Sequence, residues 1–358
     1  MSVFASILLS FAVLLAAKGP QDVIERTVNQ LRVGKPVSYR NLTVFPVSGP
    51  EQFSLDCLTL DEALRQGVLE VSEVGSGRVN EVRVENTSDK YVFMMAGEVI
   101  VGAKQDRMIA DDVLVPPKSG RLIVKVYCIE RGRWRGPTVA FKAGGTGGHV
   151  SLRAMARVTE SQSVVWSEVE RKQSALGARA EPTGTLVAIQ RDEGVQKRIQ
   201  PYRESPLARL PAQIGRDTVG VVVFVGGRPK AADVFGNHEL LRRLWGKLLD
   251  SYAMDAIELK EGARIAPVPD VEDARRFLRR ALSASATSHE TPGAGELISL
   301  RSPEITGQAL IHENKLVHME LFPRREGALI EGRRYRSPYR VVPRQMPEPI
   351  PPGRLRNR

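Results

Sequence analysis

Between Val79 and Arg135 the chain carries short runs of β-branched and aromatic residues, set close together and punctuated by turn formers. Val79, Val82 and Val84 make the first run, Tyr91 to Met95 the next, Val113 to Val115 another and Leu122 to Ile129 the last, with Met108-Ile109 as a further short strand candidate. Two turn clusters lie between them, Asn86-Thr-Ser-Asp89 and Pro116-Pro-Lys-Ser-Gly120. Asn and Asp side chains bond back to their own backbone, and proline presets a turn dihedral. A parallel crossover needs about a dozen residues or more. The turns here are shorter, so the stretch predicts an antiparallel sandwich or barrel.

Helical and strand-like segments flank it on both sides. Gln21 to Val33 places Val23, Ile24, Thr27, Val28 and Leu31 at helical spacing and stops at Gly34. Tyr39 to Val47 reads as a strand. Thr59-Leu-Asp-Glu62 is a capping box, in which hydroxyl and carboxylate satisfy free amides at a helix start; that helix ends at Gly67. Ser151 opens a helical segment, and Gln162 to Leu176 forms a second. Gly194 to Ala212 is polar and proline-broken, and reads as loop with one helical turn. Asp217 to Val225 is continuously apolar, which predicts a strand covered on both faces. Asn237 caps the longest helix, whose apolar face carries Leu240, Leu241, Leu244, Trp245, Leu248 and Leu249. Tyr252 falls on that face as a core residue with a satisfied hydroxyl, while Arg242, Arg243 and Lys247 read as its solvated side. Asp270 caps another helix, and three strand-like runs follow: Leu297 to Leu300, Gly307 to His312 and Leu316 to Phe322. The expected class is α+β. An antiparallel β-sandwich-like N-terminal part, residues 39–135, packs with a mixed α/β C-terminal part, residues 150–322.

The net charge of +11 invites a nucleic-acid reading, but its distribution argues against one. From Arg324 to Arg358 there are ten Arg, no Lys and three Glu, so this tail alone carries +7. Its six prolines after Arg336 show no packing pattern, and it reads as a disordered Arg/Pro-rich segment able to meet anionic lipid. At the other end, residues 3–17 are uncharged and largely apolar, shorter than the roughly 18–20 residues that span a bilayer, and end in Ala16-Ala17. Residues 1–17 read as a signal peptide, with export to the periplasm or medium; the alternative is a short hydrophobic anchor that tethers the chain to the inner membrane. The two cysteines, Cys57 and Cys128, either pair in an oxidising compartment or stay as buried thiols.

The sharpest polar constellation is Glu98-Val-Ile-Val-Gly-Ala-Lys104-Gln105-Asp106-Arg107. Lys104 and Arg107 suit a carboxylate or phosphate, Gln105 adds an amide, and Glu98 would serve as a base if buried. Arg133 and Trp134, in Glu130-Arg-Gly-Arg-Trp, would face this cluster and stack on a ligand. The competing reading is a salt-bridged structural bend with a packed Trp. Gly144-Gly-Thr-Gly-Gly148 precedes a helix, like an anion-cradling loop, with His149 and Arg153 beside it. It lacks the Gly-Lys-Ser/Thr ending, so a flexible linker is the plainer reading. His149 is the second acid–base candidate. His238, His289, His312 and His318 are scattered; HExxH, CxxC, GxSxG and an Asp-rich metal loop are all missing, so neither cofactor nor metal is expected.

The run VNEVRVENTSDKYVFMMAGEVIVGAKQDRMIADDVLVPPKSG and the following YCIERGRW resemble the bacterial ARPP-1 family, the ARG and rhodanese-phosphatase-superfamily-associated protein domain. TLDEALRQGVLEVSEV, EPTGTLVAI, VGVVVFVGGRPKAADVFGNHELLRRLWGKLLDSYAMDAIE and ALIHENKLVHMELFP resemble it too, so the likeness runs from Tyr39 to Phe322. It implies an uncharacterised domain tied to bacterial conflict or signalling systems, and assigns no reaction. The hydrophobic leader and the Arg/Pro-rich tail lie outside it. The expected function is a binding module for a small anionic ligand or a protein partner. The alternative is an enzyme on a phosphorylated or carboxylated substrate, acting through Glu98 to Arg107.

Overall fold

The computed structural model describes residues 19–52, 56–132, 140–179, 184–213, 215–259 and 267–324. These all lie in one unit that ends at Arg324. The leader, the Arg/Pro-rich tail, and Arg133 and Trp134 fall outside the described residues.

The Thr218–Val225 strand is the axis of the larger layer. Each residue along it is buried, because alternate side chains enter two different cores. Val221, Val223 and Val225 face one, and Val222 and Phe224 the other. It pairs antiparallel with Leu42–Ser48 on one side and Arg228–Phe235 on the other, within a nine-stranded sheet. Beyond Arg228–Phe235 the order continues through Lys315–Pro323, Ile305–His312, Glu296–Arg301 and Ser285–Glu290. Leu42–Ser48 is thus not part of the N-terminal β-region in which its position in the chain suggests it would sit. It lies in the C-terminal sheet, between Thr218–Val225 and the short edge strands Arg32–Val33 and Val37–Tyr39, since Val44 and Phe45 match the two-faced apolar pattern of Thr218–Val225.

The helices Pro20–Gln30 and Val271–Arg279 cover one face of this sheet through Val23, Ile24, Ala274 and Phe277. The opposite face receives the long helix His238–Ala256, begun where the Asn237 side chain accepts from the Leu240 amide. On the same side lie Val150–Thr159, Gln162–Leu176 and Glu193–Arg203. The last of these corrects the loop expected from Gly194 to Ala212. Asp192 caps it by accepting from the Val195 amide, and Val195, Ile199 and Tyr202 bury one face at i, i+4, i+7. Pro201 sits close enough to its end for the helix to survive.

The N-terminal β-region is sandwich-like and antiparallel except where Cys57–Thr59 pairs parallel with Tyr91–Met94. A six-stranded sheet runs Phe141–Gly147, Glu98–Gly102, Arg107–Ile109, Gly120–Cys128, Glu81–Asn86, Leu69–Arg78. Facing it is a three-stranded sheet of Val113–Val115, Tyr91–Met94 and Cys57–Thr59, with Val71, Val84, Val92, Ile100, Val115 and Val124 among the residues between them. A bridge between Ser72 and Ala140 ties the two edges of the larger sheet, so it curls toward closure. The glycine-rich 141–147 segment is therefore a strand and not a flexible linker. A Cβ at Gly144 would lie 2.5 Å from the Val99 carbonyl oxygen, so only glycine allows this approach. Both cysteines are free buried thiols, and burial pushes Cys57 up to about 11. Replacing Leu248, fully buried on the long helix, with Ala should cost about 2–5 kcal/mol of unfolding free energy in urea titration; a loss under about 1 kcal/mol would mean the helix is not a core element.

Candidate functional site

The residues singled out from Glu98 to Arg107 are divided by the sheet. Glu98 lies in the tight turn entering its strand, with its Oε2 accepting from the Met95 amide at 2.8 Å. Its Oε1 is 2.5 Å from Lys247 Nζ on the long helix, and Lys247 also meets Asp61 Oδ2 at 2.8 Å. Arg107 pairs across the ladder with Ile100, two positions along, and binds a different set of groups. Its Nη1 donates to Gln105 Oε1 at 3.1 Å, and its Nη2 lies 3.7 Å from Glu73 Oε1. Gln105 in turn donates to the Glu130 carbonyl. The Lys104 amide donates to Glu73 Oε1, and its side chain lies against Gly77. Gln105 and Arg107 thus come together with Lys104 beside them, while Glu98 belongs elsewhere. Glu98 and Arg107 are both fully buried.

Lys247 leads to an open site. A cleft of about 470 Å3 lies over it, between the helix Leu60–Arg65, the long helix and the glycine-rich strand. The capping box builds the first wall: the Thr59 amide donates to Glu62 Oε2 at 2.9 Å, which aims Asp61 at Lys247. Arg243 reaches Glu62 Oε2 at 3.0 Å and the Cys57 carbonyl at 2.8 Å. Arg203 forks onto Asp250 at 2.7 and 2.8 Å. Arg65 is exposed, lines the cleft and makes no ion pair among the described residues. Burial works against the Lys247 charge, but Glu98 and Asp61 override it and hold the ammonium well protonated. Burial pushes the Glu98 carboxyl up, opposed by Lys247.

Lys247, read from the sequence as solvated, is a 10% exposed side chain between two carboxylates. The signal was present: Arg243, Lys247 and Asp250 recur at i, i+4, i+7 and form one stripe. What the stripe faces could not be read, because Asp61 comes from a segment far away in the chain.

His149 precedes the Val150–Thr159 helix and is fully buried, its Nε2 3.0 Å from Glu168 Oε1. Burial lowers its affinity for a proton, with Lys172 adding to the effect. The helix start does hold an anion, and it is internal: the Ser151 amide donates to Asp255 Oδ2 at 2.8 Å, and Lys172 pairs with the same carboxylate.

A second buried group joins the N-terminal β-region, at the turn that leads into Val113–Val115, to the large sheet. His318 Nδ1 meets Asp112 Oδ2 at 2.7 Å, and its ring stacks on Phe235 at 4.4 Å. Asp233 lies 3.6 Å from His318 Nε2 and accepts from Tyr252 Oη at 2.6 Å, the satisfied hydroxyl expected of that residue. Arg153 Nη2 bridges Asp233 at 2.5 Å and Glu320 at 2.8 Å, and Arg157 joins Glu320 to Asp111. Among the described residues no group of three or more His, Cys, Asp or Glu side chains could hold a metal ion.

Burial disfavours the imidazolium of His318, but Asp112 and Asp233 outweigh it and raise the pKa from 6.5 to about 9. Its stabilising contribution is therefore complete below pH 6.5 and lost as pH rises through about 9. Glu168 behaves oppositely. Burial would raise it, yet Arg171 and His149 bring it down to about 2, so its contribution is present above its ordinary 4.5 and lost as pH falls through about 2. Urea unfolding across pH 7 to about 10 should show a loss of stability that His318→Gln abolishes; parallel profiles for the two proteins would refute the assignment.

The model for the ARG and Rhodanese-Phosphatase-superfamily-associated Protein domain, ARPP-1, matches residues 30–322. No protein of curated description and no solved structure matches the chain. The match takes in strands of all three sheets, the cleft and the buried ion pairs, and the chain belongs to the ARPP-1 family.

Proposed function

We propose that this protein is a binding module whose cleft takes a small anionic ligand. The observation that carries the reading is Arg65, an exposed guanidinium with no ion pair among the described residues, on a cleft that also presents Arg203, Arg243 and Lys247. Those three are already engaged by carboxylates, Lys247 by both Asp61 and Glu98, which leaves Arg65 as the guanidinium of the lining with no ion pair among the described residues. A cleft of about 470 Å3 suits a small molecule. Binding is favoured over catalysis because Glu98 and His149, the two acid–base candidates, are enclosed, and Lys247 is an ammonium and so no nucleophile.

We extend the proposal to an exported or envelope setting, supported by the uncharged run at residues 3–17, and to a role beside bacterial conflict or signalling systems, supported by the family's associations. Among the described residues no helix is long and apolar enough to cross a membrane. N-terminal sequencing of the mature protein tests export, and an intact Met1 in a soluble fraction defeats it.

For the cleft, calorimetric titration with phenyl phosphate and with benzoate should detect binding of at least one anion. Arg65→Ala should weaken it about tenfold with no change in melting temperature. Undiminished affinity in Arg65→Ala, or no binding of either anion to the wild type, removes the reading.

A further inference from the structure

The glycine-rich strand contributes more to the cleft than a wall. Its ladder with Glu98–Gly102 pairs Ala143 with Ile100 and then Gly147 with Glu98. Gly144, Gly145 and Thr146 therefore stand against the single residue Val99, and the ladder assigns them no partners of their own. Gly144 is pressed onto the Val99 carbonyl, which pushes the bulge away from the sheet. Gly145, at its crest, has φ +68°, is exposed and lines the cleft. A Cβ there would meet nothing within 4 Å, so the backbone at this point looks onto open space. Successive main-chain N–H groups at such a left-handed position form a concave donor surface for anions.

We propose that the Gly144–Thr146 bulge is a phosphate cradle. Its main-chain amides hold the phosphoryl group of a small phosphomonoester against Arg65. This rests on the reading that the cleft binds an anion, and it specifies which anion. A carboxylate offers two oxygens in one plane, which a single guanidinium fork already satisfies. A phosphomonoester offers three strong acceptors splayed about a tetrahedral centre and close to two negative charges. Donors arriving from separate walls match the second geometry. The cleft supplies such donors from two walls: a backbone bulge from the curled sheet and Arg65 from the short helix.

The test is a pair of titrations of the isotope-labelled full chain, with phenyl phosphate and with benzoate, followed by amide chemical shifts. The Gly144, Gly145 and Thr146 amides should shift with phenyl phosphate, which should bind about tenfold more tightly than benzoate. Gly145→Val should weaken phenyl phosphate about tenfold and leave benzoate unaffected, whereas Arg65→Ala weakens both. Equal affinity for the two probes, or shifts that bypass the three bulge amides, overturns the cradle while leaving an anion cleft standing. Binding of neither probe removes the cleft reading with it. Should Gly145→Val fail to fold, the wild-type shifts and the ratio of the two affinities still decide.

Discussion

Arg153 holds the centre of this protein. The register of the large sheet sets Asp233 directly opposite Glu320 on the neighbouring strand. Two carboxylates so placed repel, and burial sharpens the repulsion. Arg153 Nη2 reaches both, at 2.5 and 2.8 Å, and turns the clash into a clamp. Its stem lies on Gly97, where a Cβ would come within 2.9 Å of Arg153 Cγ and Cδ. The same residue therefore fixes the turn from which Glu98 reaches Lys247. Asp233 passes the constraint on to Tyr252 of the long helix and to His318, and His318 passes it to Asp112, just before the Val113–Val115 strand of the N-terminal β-region. Losing one partner of a buried ion pair costs about 3–5 kcal/mol, since the other charge is left stranded.

Around this ionic centre the architecture follows from side-chain alternation. Strands such as Thr218–Val225 must be covered on both faces, so the large sheet acquires helices on one side and a mixture of helices and the curled sheet on the other. The cleft then opens where three separately built pieces meet over Lys247: a capped six-residue helix, the polar stripe of the long helix and a bulged strand. Each piece is rigid for its own local reason, and the cleft is shaped without a dedicated loop.

The site was legible only in part. Glu98 stands out in the sequence, but its partner Lys247 lies 149 positions away, and no local spacing reveals it. Arg107 and Gln105 do associate, as their proximity suggested, yet with Glu73 and Glu130, which hold them inside the fold. The glycine run looked like a linker because five residues without large side chains carry no periodicity; in the structure they permit contact with Val99. The edge strand Ser285–Glu290 gave no sign of itself either, being polar and exposed along its whole length.

By itself the sequence determined what local physics determines: the capping boxes, the apolar faces of the helices, the strands with two buried faces, the turn clusters, and through them the α+β class and the family. Tertiary structure alone decided which charges meet. Strand register placed Asp233 against Glu320, and chain reversal brought Asp61 to Lys247 and Asp112 to His318. Those pairings depend on burial and on contacts between distant segments. Propensity and spacing record neither, because a charged side chain reads the same in sequence whether it ends in water or in a clamp.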